Sequence, residues 1–436
     1  MDSLKDMRPM RQAADWRDRS PTQHDLGALI RAEIAVDGPL TFARFMELAL
    51  YHPTLGYYAG GGSGREPLGW SGDYFTAGDL TPLWGRALAR RFARLWELMG
   101  QPKRFEVVEV GAGRGLLAAA VWGYAIEQAP AWAQALRYTL VDRAPVGSPL
   151  QAAREARLAQ ALANAGAPPA SLPPDAIRWA DTLVGAAPPH SLIGCVFANE
   201  LADALPTHVV EKQGDALAEV YVALDTDGRL VMQTGSPSSP AVADYLDHYR
   251  IPWRRYPDGW RAEVCLLAPQ WMASAARLLA RGCVMTLDYG DTARRLYTPA
   301  RLAGTLMAYI QHRVAADPLA HPGQQDLTAH VNFSALIDAG RAAGLRLAEY
   351  ITQGALLECL GIWDEADALA ARRYPHADDR QTAQGQLDYL RRASLRNSVK
   401  ALLAPQGLGG FRALTMQRGL PGLSAALSRR YTWRPR

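Results

Sequence analysis

Apolar positions along the 436-residue chain change their spacing several times, and the changes mark out its organisation. Near the N-terminus Leu26, Leu29, Ile30 and Ile34 recur at helical spacing, as do Phe42, Phe45, Met46, Ala49 and Leu50. Two short amphipathic helices are predicted, the second capped by Thr41. A Gly-rich stretch, Gly56 to Gly72, has too little apolar content to pack, and a longer amphipathic helix is expected from about Leu80 to Met99. From residue 105 short apolar runs alternate with helical patterns. The strands are Phe105–Val110, Arg137–Val141, Ile177–Ala180 and Ser191–Ala198, and the helices run from near Arg114 to Gln128 and over Ala152–Ala165. This alternation predicts βαβ units and a parallel sheet buried on both faces.

The pattern then turns antiparallel. Val209–Gly235 reads as hairpins with turns at Gln213-Gly214 and Asp227-Gly228. A helix over Pro269–Arg281 leads into another buried strand, Cys283–Tyr289. The remainder reads as mostly helical, with strand-like pieces at Leu345–Leu357 and Phe411–Met416. The expected fold class is α/β: a mostly parallel core sheet over 105–436, a loose arm over 1–23 and an N-terminal helical cap over 24–104. A β-hairpin insertion at about 207–266 and helical insertions at about 291–343 and 359–405 would interrupt the core.

Composition narrows the function classes. With 49% hydrophobic and 21% charged residues the chain is an ordinary globular one. Lys and Arg outnumber acids by 47 to 43, which makes no case for nucleic-acid or membrane-surface binding. No apolar run approaches the roughly 18 residues of a membrane span. The segment Arg391–Arg436 has ten basic residues and no acid, a solvated surface or a rim that attracts an acidic partner. Cys195, Cys265, Cys283 and Cys359 lie far apart and read as buried thiols, and the nine His are dispersed, so no metal is expected. The polar, mixed-charge stretch Met1–Gln23 has no apolar segment, and a cytoplasmic location is expected.

Candidate chemistry begins where the first strand ends, at Glu109-Val-Gly111-Ala-Gly113-Arg-Gly115. Glycines after a strand allow a tight turn and close approach of a ligand, and the following helix N-terminus favours an anionic group. Leu116 stands where a dinucleotide fingerprint needs its third glycine, which disfavours NAD. Asp142 ends the second strand, where a carboxylate accepts both hydroxyls of a ribose, and Asp181 ends the third. Glu200 and Asp203 follow the fourth strand at the same edge, after Asn199. If a helix begins at Glu200, the two acids share a face; equally, Asn199 would cap that helix and the acids favour its N-terminus.

The glycine turn is similar to motif I of class I S-adenosylmethionine-dependent methyltransferases. His52-Pro-Thr-Leu-Gly56-Tyr57-Tyr58 and Ser71-Gly72-Asp73-Tyr74-Phe75-Thr76-Ala77 resemble the N-terminal signature of the MidA-like methyltransferases. That family includes a mitochondrial protein that assists assembly of respiratory complex I. Ala198-Asn199-Glu200-Leu-Ala-Asp203-Ala204-Leu205-Pro206 is similar to its signature after the fourth strand, and Asp288-Tyr289-Gly290, Gly304-Thr305-Leu306, Asp326-Leu327-Thr328-Ala329 and Gly409-Gly410-Phe411 continue the likeness. It spans about Leu26 to Gly419. The chain departs from the family at Gly78-Asp79-Leu80-Thr81, where P-E-I-S is usual, at Asp142 in place of Glu, and at Ala112 in place of Pro.

The resemblance implies S-adenosyl-L-methionine as cofactor and S-adenosyl-L-homocysteine as product. Gly72, Asp73, Thr76, Glu109, Gly111, Gly113, Gly115, Asp142, Asp181 and Asn199 would bind it, with Glu200, Asp203 and Asn199 in the catalytic role. It further implies a protein substrate, an arginine on a respiratory-complex subunit, with a small-molecule acceptor or a weakly catalytic assembly factor as alternatives. His312, Asp326 and His330 lie in the region after Asp288-Tyr289-Gly290 where an acceptor would dock, or are structural polar residues. Asp142→Ala is expected to weaken cofactor binding by about 1.5–3 kcal/mol, the scale of hydrogen bonds to a charged group. Calorimetry giving a dissociation constant within about twofold of wild type, far short of that scale, would place the ribose elsewhere.

Overall fold

The computed structural model describes residues 25–59, 77–143, 149–310 and 313–427. Its centre is a seven-stranded sheet: β1 (Phe105–Val110), β2 (Leu136–Val141), β3 (Ile177–Ala180), β4 (Leu192–Asn199), β5 (Leu279–Asp288), β6 (Arg346–Thr352) and β7 (Arg412–Arg418). Across the sheet the order is β6-β7-β5-β4-β1-β2-β3. The five strands β1 to β5 are mutually parallel, and β7 runs antiparallel between β5 and β6. This is the mostly parallel α/β core expected of a class I methyltransferase. The chain order reverses between β1 and β4, the kind of switch point at which open α/β sheets bind ligands.

Register lines up the strand ends. Val110 pairs with Val141 and Ala198, Val141 with Ala180, and Ala198 with Thr286. Gly111, Asp142, Asp181, Glu200 and Asp288 therefore leave the sheet along one edge.

Helices cover both faces. Pro82–Leu98, capped by Thr81 Oγ accepting the Leu83 N–H, and the apolar Leu116–Gln128 bury one face together with the C-terminal helices. Leu267–Leu278 and Phe333–Ala342 bury the other. A second, antiparallel sheet built from Leu40–Thr41, His208–Gln213, Ala216–Leu224, Leu230–Gly235 and Arg261–Val264 packs against the N-terminal helices Leu26–Asp37 and Phe42–Tyr51. Thr41 caps the latter as its sequence predicts. The Tyr51 hydroxyl ties this layer to the core by donating to the Ala204 carbonyl at 2.9 Å.

Helix Pro82–Leu98 buries three arginines. Arg86 pairs with Glu365 at 2.6 Å and Glu127 at 3.0 Å, Arg90 donates to the Gly361 carbonyl, and Arg91 pairs with Glu349 at 3.2 Å. These pairs fasten the helix Ile362–Arg373 and strand β6 onto the core. Cys195 and Cys283 sit opposite one another on β4 and β5, fully buried with their sulfurs 3.4 Å apart, while Cys265 and Cys359 are partly buried.

Several expected boundaries move. The strand predicted from Cys283 begins at Leu279, which pairs with Leu192 before an irregularity at Ala280. The helix before it accordingly ends at Leu278, not Arg281. The piece predicted as strand to Leu357 stops at Thr352, whose hydroxyl accepts the Ala355 N–H and starts the helix Gln353–Cys359. Within the segment expected to be helical, Met307–Ile310, Arg313–Ala315 and Asp326–Thr328 form a small sheet, its strands too short for alternation to show. Glu365→Ala should leave the buried Arg86 short of a partner and cost about 3 kcal/mol, the lower end for breaking a buried pair because Glu127 remains. Urea unfolding checks this; a loss below about 1 kcal/mol, the scale of a surface pair, would contradict it.

Candidate active site

The turn after β1 is shaped by backbone that only glycine adopts freely. Gly111, Gly113 and Gly115 have φ of 75°, 52° and 71°. A Cβ on Gly115 would stand 2.8 Å from Leu158 Cδ1, and one on Gly111 3.0 Å from Leu201 Cδ1. The turn leads straight into the helix Leu116–Gln128, whose N-terminus carries no side-chain cap. Its backbone N–H groups and positive dipole end thus face the sheet edge.

Acids bracket the turn. Asp142 accepts the Gly113 N–H at 2.7 Å and pairs with the buried Arg154 at 3.0 Å. Each carboxylate oxygen keeps a lone pair for a ribose hydroxyl. Asp181 stands exposed at the end of β3. Glu109, near the end of β1, is buried and accepts the Tyr138 hydroxyl at 2.9 Å. Burial pushes its carboxyl up to about 8 against the pull of that bond. A cradle only glycine fits, a free helix N-terminus and carboxylates on consecutive strand ends suit an adenosyl amino acid.

The loop after β4 departs from expectation. No helix begins at Glu200: residues 200–207 form turns, and Asn199 is the last residue of β4, not a helix cap. The loop is instead pinned by Asp288 at the end of β5. Fully buried, its carboxylate accepts the N–H groups of Ala202 at 2.9 Å, Asp203 at 3.2 Å and Tyr289 at 2.9 Å. Glu200 is held at φ 47°, a left-handed conformation that residues other than glycine seldom take.

Glu200 and Asp203 still come together, now through loop geometry. Asn199 Nδ2 donates to Glu200 Oε1 at 2.9 Å, and the Tyr289 hydroxyl donates to Asp203 Oδ2. Asp203 is 5% exposed, and neither its Oδ1 nor Asn199 Oδ1 has a hydrogen-bond partner among the described residues. Burial, then the charge of Asp203, raises Glu200 to about 7, and burial raises Asp203 to about 6 against its bond from Tyr289. Burial and the charges of Asp203 and Glu200 push Asp288 upward as well.

Asp326 also reaches this edge, 3% exposed, and its Oδ1 accepts the Tyr58 hydroxyl at 3.2 Å. His330 lies against Tyr289 with ring centroids 5.4 Å apart, and burial lowers it to about 4. Behind it a cavity of about 10 Å³ has room for a water and not for a substrate. Gly72, Asp73 and Thr76, with Tyr74, Phe75 and His312, lie outside the described residues. Among the described residues no cluster of His, Cys, Asp or Glu is arranged to hold a metal, and no helix is long and apolar enough to cross a membrane.

In the sequence Asp288 and Tyr58 stand inside family-like motifs without an assigned role, and Tyr51 carries no signal. Position was the available signal for Asp288, an acid closing a buried strand at the edge that carries Asp142 and Asp181.

A doubly wound sheet with this turn and these edge acids defines an enzyme that binds a nucleoside cofactor, of class I methyltransferase architecture. The chain belongs to the S-adenosyl-L-methionine-dependent methyltransferase family Methyltransf_28, whose model matches residues 87–351. It is 30% identical to a Burkholderia thailandensis protein solved with S-adenosyl-homocysteine bound, with a TM-score of 0.76 over 93% of this chain and 94% of that one. It is also 25% identical over 408 residues to the zebrafish (Danio rerio) protein arginine methyltransferase NDUFAF7, mitochondrial, spanning 90% of this chain and 88% of the relative. The human (Homo sapiens) protein of that name is 27% identical over 356 residues, 76% of this chain and 74% of the relative. The protein is an S-adenosyl-L-methionine-dependent methyltransferase. The cytoplasmic expectation is corrected: the fly, zebrafish, human and rat relatives are all named as mitochondrial proteins, which conflicts with it.

Glu109 offers a test of the site's electrostatics. Its folded pKa near 8 exceeds the ordinary 4.5, so the folded state holds the proton more tightly. The resulting stability is present in full below about pH 4.5 and is lost as pH rises toward 8. Glu109→Gln should therefore gain melting temperature over wild type across pH 5 to about 8, by a few °C, then level off. A difference that does not change with pH would refute the buried-carboxyl assignment.

Proposed function

We propose that this methyltransferase acts on a protein, at an arginine side chain, with a respiratory-complex subunit as the class of acceptor. The observation that carries the reading is Asp203, a buried carboxylate with one oxygen that has no hydrogen-bond partner among the described residues, beside Glu200 at the carboxyl edge of β4. A guanidinium is planar and cationic, and carboxylates bind it by paired, charge-assisted hydrogen bonds. The relatives named as protein arginine methyltransferases support the same acceptor.

Gly111, Gly113 and Gly115 would hold the amino-acid end of the cofactor against the helix N-terminus, with Glu109 and Asn199 nearby. Asp142 would take the ribose hydroxyls and Asp181 the adenine amino group. When bound, S-adenosyl-L-methionine supplies a methyl group already activated on a sulfonium. The chain's own task is to align the acceptor nitrogen, exclude water and accept a proton. As the guanidinium nitrogen gains the methyl it gives up one proton, and Asp203 takes it. A carboxyl near 6 is largely ionised at neutral pH and weakly basic enough to pass the proton on. Tyr289 holds Asp203 in place, and Glu200, oriented by Asn199, steadies the cation.

Asp203→Asn should keep the affinity for S-adenosyl-homocysteine within about twofold while transfer of labelled methyl to protein falls about 10²-fold, the scale of a lost general base. Full transfer by a folded Asp203→Asn chain would reject the role. Label appearing only in small molecules would reject the protein acceptor.

A further inference from the structure

The acids at the sheet edge do not come from the core alone. Asp326 lies on the small sheet, opposite Tyr309 in register, and Tyr58 and Tyr51 lie in the N-terminal cap. The Tyr58 hydroxyl donates to Asp326, and its ring packs on Tyr51 at 5.3 Å between centroids. The charges of Asp203 and Asp326 both act on Tyr51 and on Tyr309, and both act on Glu200, so the two carboxylates share one neighbourhood. The Ala329 N–H donates to the Asp203 carbonyl at 2.9 Å, and Tyr51 holds the Ala204 carbonyl, so both inserted elements are pinned to the Asp203 loop.

We infer that Asp326 and its tyrosines form the second wall of the acceptor pocket, making the site a clamp for a guanidinium between a core carboxylate and a carboxylate of the small inserted sheet. This rests on the protein-arginine reading above. Independently, Asp203 Oδ1 stays buried, at 5% residue exposure, with no hydrogen-bond donor among the described residues. A buried acceptor left without a donor is costly, and a cationic N–H donor removes that cost. Two carboxylates from different elements, with phenol rings beside them, match a flat cation with donors on two sides and faces that stack. A lysine ammonium lacks both features, and a neutral urea lacks the charge. Asp203 touches the reacting group in this arrangement, whereas Asp326 fixes its orientation.

The test uses the full chain saturated with S-adenosyl-homocysteine and three probes: N-acetyl-arginine methylamide, its lysine counterpart and its citrulline counterpart. Calorimetry should show the arginine probe binding about tenfold or more tightly than citrulline, the value of one charge-assisted contact. Asp326→Asn should weaken the arginine probe by about tenfold and leave S-adenosyl-homocysteine affinity and the citrulline constant unchanged. Tyr58→Phe should give a smaller loss of the same kind, which keeps the test open if Asp326→Asn fails to fold. Equal binding of arginine and citrulline, no arginine binding to the wild-type chain, or folded variants that bind arginine like wild type would each overturn the clamp. Methyl transfer to protein arginine at wild-type rate by Asp326→Asn would refute the clamp and leave the proposed function standing. An Asp326-dependent arginine site with no methyl transfer to protein would do the reverse.

Discussion

One buried carboxylate organises the functional edge of this methyltransferase. Asp288 closes β5 and gathers three backbone N–H groups, two of them from the loop after β4. By accepting the amides of Ala202 and Asp203, Asp288 pins the irregular loop 200–207 to the end of β5, and Asp203 meets the Tyr289 hydroxyl. The strained Glu200 backbone follows from the same constraint. Three N–H groups converging on one buried acceptor hold the loop without regular secondary structure.

Electrostatics then set what the edge is suited to receive. Glu200, Asp203, Asp288 and Asp326 crowd one region from which water is largely excluded, and burial raises the first three. A crowd of carboxylates of this kind is stabilised by a cationic guest. The far side of the sheet solves the opposite problem. There Arg86, Arg90 and Arg91 are buried and matched by Glu365, Glu127, Glu349 and the Gly361 carbonyl, all from within the fold. Both clusters keep buried side-chain atoms without a hydrogen bond among the described residues, Arg91 Nε and Nη1 in the basic one and Asp203 Oδ1 in the acidic one.

The local sequence determined the core of this protein. Buried strands are largely apolar runs, so β1 and β4 stand out, the shorter β2 and half-exposed β3 follow from the alternation with helices, and the order glycine turn, Asp142, Asp181 follows from strand ends. Nearest-neighbour chemistry also placed the Thr41 cap and the hairpins after residue 207, because those features depend on residues a few positions apart.

Tertiary structure decided the rest, because the forces involved act between segments far apart in the chain. The start of β5 at Leu279 comes from pairing with Leu192, not from its own residues. The three short strands of residues 307–328 exist only because they pair with each other. The i, i+3 spacing of Glu200 and Asp203 suggested a helical face, whereas the segment is a loop pinned by a carboxylate 85 positions from Asp203, at Asp288. Asp326 and Tyr58 meet across 268 positions. Periodicity reports which side of an element faces apolar surroundings; it carries no information on which distant polar group will satisfy a buried one, and that pairing is what built the site.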